Sequence, residues 1–172
     1  DKANRSQMDS ARGPGLAEGL ERLATVKEET GLALLPDIHE PGQAERTAAV
    51  VDVLQIPAFL CRQTDLLLAA GATGKAINVK KGQWMSPGDM AGAVEKVRGA
   101  GARDVAVTER GTFLGYGNLV VDMRSFAAAR AATSAPVFFD GTHSVQRRGE
   151  ASGSSRGDPE HIPALVRAAV AA

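Results

Sequence analysis

The stretch AINVKKGQ, residues 76–83, joins a short apolar run to a cluster of charged and amide side chains, and a helix-like stretch follows it. The same arrangement occurs five times; the other four runs are LALLPDIHE (32–40), VVDVLQIPAFLCRQ (50–63), DVAVTERG (104–111) and PVFFDGTHSVQ (136–146). Apolar strands that alternate with helices predict a parallel sheet. Polar side chains at the C-terminal ends of such strands indicate the catalytic mouth of a (β/α) barrel.

Composition narrows the class of protein. The 172 residues suit one domain with its own core, and 44% hydrophobic and 23% charged content is ordinary for a globular protein. The formal net charge is zero and the apolar runs are too short for a membrane span, so we expect neither a nucleic acid nor a membrane as partner. Cys61 is the only cysteine, which excludes an internal disulfide and fits a cytoplasmic setting; we interpret it as a packing thiol.

Hydrophobic periodicity and turn residues predict the individual elements. We expect helices at residues 16–30, 43–50, 63–73, 87–98, 124–132 and 162–172. We expect strands at 32–38, 51–56, 76–79, 104–108 and 136–139, the first of them buried. Residues 109–118 are predicted to form a glycine-rich loop and residues 147–160 a mobile polar loop.

The length indicates how much of a barrel is present. A full eight-unit barrel takes roughly 250 residues. Asp1 stands inside a polar motif, and Ala172 ends a helix-like alanine run. We therefore expect one partial domain over residues 1–172, an internal part of a (β/α)8 TIM barrel that runs from the end of strand 2 to helix 7.

Basic residues gather at the predicted strand ends, namely Lys2, Arg5, Arg62, Lys80, Lys81 and Arg110. Arginine binds phosphates and carboxylates through its planar fork, and lysine binds them as a point charge. The set predicts a substrate, or a pair of substrates, that carries several negative charges. The alternative for any one of them is a solvated loop residue.

Other polar residues leave their chemistry open. Lys80 suits a Schiff base as well as a phosphate anchor. Asp37, His39 and Glu40 follow one apolar run, and such a cluster serves metal binding, acid–base chemistry or recognition of sugar hydroxyls. His143, after the last predicted strand, suits a metal ligand, a proton shuttle or a structural residue.

Taken together, these stretches resemble the 3-deoxy-D-manno-octulosonate 8-phosphate synthase family. The matching pieces follow the family order and are DKANRS (1–6), RGPGL (12–16), DIHEP (37–41), VVDVLQIPAFLCRQTDLL (50–67), INVKKGQ (77–83), ERG (109–111), GYGNLVVDMRS (115–125) and THSVQ (142–146). The resemblance implies condensation of phosphoenolpyruvate with D-arabinose 5-phosphate and water, which gives the octulosonate phosphate and inorganic phosphate. It also implies a cytoplasmic homotetramer that serves lipopolysaccharide biosynthesis.

The resemblance further implies which residues hold phosphoenolpyruvate. Lys2, Lys80 and Arg110 would bind its phosphate and carboxylate. Gln55 and the backbone near Ala58 would assist them. Gln146, which follows His143 in the loop after the last strand, would also bind substrate.

A second group would hold the pentose. Asn4, Arg5 and Ser6 would bind the pentose phosphate, and Asp37 would contact sugar hydroxyls. Arg62 would reach the pentose phosphate of a neighbouring subunit. The catalytic set implied by the resemblance is Lys2, Asn4, Asp37, Lys80 and His143.

The resemblance leaves the cofactor open, because some members of the family use a divalent metal and others do not. His143 matches a metal ligand of the metal-using members. Three alternatives to the main interpretation remain: a related synthase that uses erythrose 4-phosphate, a Schiff-base aldolase that uses Lys80, and an inactive barrel fragment that binds anions.

Overall fold

The computed structural model of the chain describes residue 2 and residues 8–114, 117–147 and 157–172. Within these residues the strands are β1 (Val53–Ile56), β2 (Ala76–Lys80), β3 (Val105–Glu109), β4 (Thr112–Phe113), β5 (Leu119–Val120) and β6 (Val137–Phe139). The helices are α1 (Leu16–Thr30), α2 (Ala44–Ala48), α3 (Thr64–Ala72), α4 (Met90–Gly99), α5 (Arg124–Thr133), α6 (Gly141–Ser144) and α7 (Ile162–Ala171). Single 3-10 turns cover Pro41–Gln43, Ala58–Leu60 and Pro159–His161.

Four strands form one parallel sheet in the order β1-β2-β3-β6, and helices connect most of them. This order follows the chain, as the alternation of apolar strands and helices predicted. Both Leu35, beside one edge of the sheet, and Phe138, in the strand at its other edge, line the same cavity. The sheet is therefore curled, which is the arrangement of part of a (β/α)8 barrel.

Strand alternation divides the core from the cavity. Leu54, Ile56, Ile77 and Val79 are buried in the core cluster together with residues of α3 and α4. Successive side chains of a strand point to opposite faces, so the polar residues between them face the inside of the curled sheet. α3 and α4 pack so closely that a Cβ on Gly71 would lie 2.4 Å from the carbonyl oxygen of Val97, and only glycine fits there.

The predicted buried strand at 32–38 is wrong. Only Asp37 forms a bridge, with Gln55, and Leu32 is 65% exposed. The segment still runs beside β1, because the Leu34 and Pro36 carbonyls accept hydrogen bonds from Val53 and Gln55. Pro36 has no N–H group to donate in return, so a regular ladder does not form.

The predicted loop at 109–118 is also partly wrong, since it contains β4, which pairs antiparallel with β5 directly after it. The structure adds α6, whose N-terminus is capped when Asp140 accepts a hydrogen bond from the His143 backbone N–H. Of the polar loop predicted at 147–160, residues 148–156 lie outside the described residues. In the part of the chain that is described, no helix has the length and apolar character to cross a membrane.

Candidate active site

A cavity of about 450 Å³ opens at the C-terminal ends of the parallel strands. This volume lies within the range of roughly 300–1,000 Å³ that is usual for small-molecule sites. Its polar wall is formed by Gln55, Asn78, Lys80, Thr108, Asp140, Thr142 and His143. Catalytic residues occupy this end of the strands in barrel enzymes, so the cavity is the candidate active site.

Asp140 connects two basic side chains at the cavity. Its Oδ2 atom lies 2.8 Å from Lys80 Nζ and 2.8 Å from His143 Nδ1, while its Oδ1 accepts the His143 backbone N–H at 3.0 Å. Burial by itself raises the pKa of Asp140, but the hydrogen bonds from His143 and Lys80 outweigh it and hold the pKa well below its usual range. Asp140 is therefore a carboxylate that fixes both neighbours.

This pairing bears on the two interpretations of Lys80. A lysine that attacks a carbonyl must present a neutral amine. The Lys80 ammonium instead forms an ion pair with Asp140, and the two side chains are only 15% and 12% exposed. The geometry favours Lys80 as a cation that binds an anion.

A chain of side-chain hydrogen bonds crosses the strands beneath the cavity. The Thr108 hydroxyl donates to Asn78 Oδ1 at 2.8 Å, Asn78 Nδ2 donates to Gln55 Oε1 at 2.8 Å, and Gln55 Nε2 donates to Asp37 Oδ1 at 2.6 Å. Every donor points toward Asp37, so the chain runs from the cavity wall to the Asp37 carboxylate, which does not itself line the cavity. The structure thus connects Asp37 and Gln55, which the resemblance assigned to two different substrates.

Arg110 is buried one residue beyond β3, and its guanidinium donates to Gln146 Oε1 at 3.0 Å. The backbone turns directly after it: Gly111 has φ +90°, and a Cβ there would lie 3.0 Å from Leu119 Cβ. Glycine is required at this turn, because other residues are strained at such a φ. The structure therefore brings together Arg110, predicted to bind phosphoenolpyruvate, and Gln146, predicted to bind substrate.

The remaining predicted site residues are placed as follows. Ala58 is buried in the 3-10 turn after Pro57, whereas Arg62 and Lys2 are exposed. None of these three lines the cavity among the residues that the structure describes. Asn4, Arg5 and Ser6 lie outside the described residues, so their predicted contacts with the pentose phosphate stay predictions.

Two other side chains show how burial sets their chemistry. Cys61 is fully buried with its Sγ 3.3 Å from Met85 Sδ, and burial raises the pKa of the Cys61 thiol. Burial also lowers the pKa of His39, although Asp37 acts in the opposite direction. Cys61 is thus a packing thiol with little thiolate character, as its sequence context predicted.

The described residues do not assemble a metal site. Across the described ranges, no three His, Cys, Asp or Glu side chains stand close enough to hold a metal ion. His143 presents one ring nitrogen while the other contacts Asp140, which is the usual orientation of a metal-bound histidine. One such ligand does not define a metal site.

Sequence reasoning did not select four of the polar residues around the cavity, Asn78, Thr108, Asp140 and Thr142. A signal for Asn78 was present, because it lies two residues before Lys80 and therefore on the same face of β2. Thr108 sits directly beside Lys80 in the strand register. Asp140 comes directly after β6, as Lys80 comes directly after the apolar residues of β2. Its place at a strand end was therefore a further signal.

Comparisons with known proteins identify the family of the chain. Residues 1–172 match the model of the DAHP synthetase I family. A relative from Nitratidesulfovibrio vulgaris (strain DP4) is 58% identical over 172 residues, which cover 100% of this chain and 63% of the relative. Relatives from Geobacter sp. (strain M21) and Syntrophotalea carbinolica are 57% and 56% identical, over 63% and 61% of their own lengths.

These three relatives carry the name 2-dehydro-3-deoxyphosphooctonate aldolase, and the chain spans about 63% of the length of the first of them. The phosphooctonate in that name is the same eight-carbon sugar acid phosphate as the octulosonate of the family that the sequence resembles. The resemblance is therefore confirmed, and the chain belongs to the DAHP synthetase I family.

Proposed function

We propose that this chain serves the condensation of phosphoenolpyruvate with D-arabinose 5-phosphate and water, which yields 3-deoxy-D-manno-octulosonate 8-phosphate and inorganic phosphate. The observation that carries the proposal is the strand-end cavity with its Lys80–Asp140–His143 cluster, in a chain 58% identical to a relative named for the octonate product. On this proposal the protein is a transferase that forms a carbon–carbon bond.

The reaction joins two anions that repel each other. The C3 carbon of phosphoenolpyruvate bonds to the aldehyde carbon of the pentose, whose oxygen takes up a proton to become a hydroxyl, and C2 becomes electron-deficient. Water adds to C2 and loses a proton, and the C2–O bond breaks to release phosphate and leave a ketone. A protein that catalyses these steps must orient both anions and stabilise the changing charge.

The buried cations of this chain fit the first of these tasks. Lys80 is held by Asp140 and Arg110 by Gln146, so neither cation must be ordered when phosphoenolpyruvate binds. Lys2 and the backbone at Ala58 complete the proposed phosphoenolpyruvate site. Preorganised charges of this kind lower the cost of binding an anion.

The second group serves the pentose. Asp37, held by Gln55, accepts hydrogen bonds from sugar hydroxyls, while Asn4, Arg5 and Ser6 bind the pentose phosphate. The exposure of Arg62 leaves its guanidinium available to the pentose phosphate of a neighbouring subunit. With this role for Arg62 the active assembly is a homotetramer, and its place is in lipopolysaccharide biosynthesis in the cytoplasm.

The direct test supplies phosphoenolpyruvate with each of two aldehydes, arabinose 5-phosphate and erythrose 4-phosphate, and follows phosphate release and the sugar acid product. We expect release with the pentose phosphate, its loss in Lys80→Met, and full activity in Lys96→Met. Lys96 is a matched control because its ammonium contacts Thr64 on the exposed side of α4.

Other outcomes favour the alternatives. Faster turnover of erythrose 4-phosphate would indicate the related synthase. Absence of phosphate release, with or without binding of phosphoenolpyruvate, would indicate an inactive fragment. Repeating the assay after chelation, with readdition of divalent ions, decides whether the reaction needs a metal.

A further inference from the structure

Lys81 follows Lys80 directly but has a different environment. Its side chain is 1% exposed, and it is absent from the cavity wall. The ammonium lies 3.1–3.4 Å from four oxygens, the carbonyls of Gly82, Met85 and Gly111 and the hydroxyl of Thr112. The strand-end cation predicted to bind substrate is therefore enclosed by the protein itself.

Glu109 is the anion that faces Lys81. Its Oε1 lies 3.5 Å from Lys81 Nζ and accepts the backbone N–H groups of Arg110 at 2.9 Å and Gly111 at 2.6 Å. These two bonds fix the backbone from which the Arg110 guanidinium extends. The carboxylate is itself buried, so the two charges face each other with little solvent between them.

The pair joins two loops that follow neighbouring strands. Gly82 and Met85 belong to the loop after β2, and Gly111 and Thr112 belong to the segment after β3. A backbone bond from Phe113 N–H to the Gln83 carbonyl, 2.8 Å long, connects the same two loops. Each member of the pair is adjacent in sequence to a cation of the proposed phosphoenolpyruvate site, Lys81 to Lys80 and Glu109 to Arg110.

We propose that Lys81 and Glu109 are positioning residues, which set the separation of the Lys80 ammonium and the Arg110 guanidinium to fit the phosphate and carboxylate of phosphoenolpyruvate. This inference rests on the proposed function. Burial lowers the pKa of Lys81 although Glu109 opposes the shift, so the pair contributes little to stability for the charge it buries. What the buried pair does provide is a fixed position of the loop after β2 relative to the segment after β3.

The test compares Lys81→Met, Glu109→Gln and the double variant with wild type, and uses Lys96→Met as a lysine control. Dissociation constants for phosphoenolpyruvate and arabinose 5-phosphate are measured separately. Trp84, the only tryptophan, lies in the loop after β2 between Gly82 and Met85, so its emission and acrylamide quenching report the geometry of that loop.

We expect the double variant to remain folded, because it leaves no unpaired charge and the amide oxygen of the introduced glutamine still accepts the two N–H groups. Its phosphoenolpyruvate affinity should fall about tenfold or more, while pentose affinity changes less than about twofold. Trp84 emission and quenching should change in the double variant and stay as in wild type in Lys96→Met.

Equal losses for both substrates, or wild-type phosphoenolpyruvate affinity in the folded double variant, would overturn the proposal. The double variant decides between these outcomes even if either single variant fails to fold. If wild type binds no phosphoenolpyruvate, the proposed function fails first; unchanged Trp84 quenching in the double variant would then overturn the loop connection as well.

Discussion

Neighbouring residues of the same type have opposite roles in this molecule. Lys80 lines the cavity and Lys81 is enclosed between loops, because successive side chains at a strand end point to opposite sides. Composition and spacing identified both as strand-end cations. What separates them is the set of oxygens around each ammonium, which only the folded chain supplies.

Two arginines provide a matched test of the substrate assignments. Arg110→Ala removes a buried guanidinium next to Gln146, and Arg62→Ala removes an exposed one. We expect Arg110→Ala to weaken phosphoenolpyruvate binding by about tenfold to a hundredfold, since a hydrogen bond to a charged group contributes roughly 1.5–3 kcal/mol. Arg62→Ala should weaken pentose phosphate binding selectively. Titration calorimetry with each substrate measures both, and equal losses for the two substrates in either variant would contradict the assignment.

The Asp140 carboxylate makes stability depend on pH in a defined direction. Its pKa is lower in the folded chain than in the unfolded chain, so the unfolded chain takes up the proton first as pH falls. The stabilisation is complete above about pH 5 and declines below about pH 4, by at most about 1.4 kcal/mol per pH unit. The Asp140→Asn variant has no carboxylate at this position, so its stability lacks this dependence on pH.

Unfolding free energies of wild type and Asp140→Asn should therefore converge as the pH falls from about 5 to about 3. Denaturant titrations at each pH provide the measurement. Asp122→Asn is the control, because Asp122 pairs with Arg124 at an exposed position where solvent screens the charge. A difference between wild type and Asp140→Asn that stays constant over this range would show that Asp140 does not carry the pH dependence.

At the scale of elements, periodicity predicted helices better than the edges of the sheet. All six expected helices are present within a few residues, because leucine and alanine spacing and flanking glycines act locally. The segment at 32–38 has the composition of a buried strand, yet Pro36 breaks its ladder, and Leu32 and Leu35 stay exposed although Ile38 is buried in the core. The β4–β5 hairpin depends on the turn at Gly111 and on the bond from Phe113 N–H to the Gln83 carbonyl in the loop after β2, a contact that no local pattern indicates.

The hydrogen-bonded chain from Thr108 to Asp37 joins side chains of four adjacent extended segments. A substitution at Thr108, the end opposite Asp37, tests it. Thr108→Val keeps the shape of the side chain but removes the hydroxyl, which leaves the buried Asn78 Oδ1 without its donor. We expect a loss of about 1–3 kcal/mol in unfolding free energy. We also expect the Asp37 side chain to be positioned less firmly, which should weaken pentose binding. Chemical denaturation and pentose binding measure the two effects.

Thr25→Val is the matched control for this substitution. The Thr25 hydroxyl donates to the Glu21 carbonyl on the exposed surface of α1, so its loss should change stability by less than about 0.5 kcal/mol. If Thr108→Val costs no more than Thr25→Val, the chain does not support the cavity floor.

At the scale of the whole molecule, the sequence predicted that basic groups of separate βα units meet at one mouth. Lys80 stands on the cavity wall and Arg110 at the next strand end, whereas Lys2 is exposed and outside the cavity wall. The parallel sheet fixes the first two, since its register aligns Lys80 with Thr108, two residues before Arg110. Lys2 precedes the sheet, so no register constrains it.

The curled sheet has two open edges among the described residues, the segment beside β1 and strand β6. Phe138 on β6 is 52% exposed, and Leu32 and Leu35 are exposed at the opposite edge. Unpaired strand edges with apolar side chains promote association between chains. We therefore expect the 172-residue chain to self-associate as its concentration rises, as sedimentation velocity would show.

Phe138→Lys places a charge on the open edge and should shift the chain toward monomer, because a charged edge disfavours strand pairing. Leu68→Lys is the control, since Leu68 is 42% exposed on α3, away from both edges. An equal shift in both variants would indicate general surface hydrophobicity as the cause. A wild-type chain that stays monomeric at every concentration would show that neither edge is available for pairing.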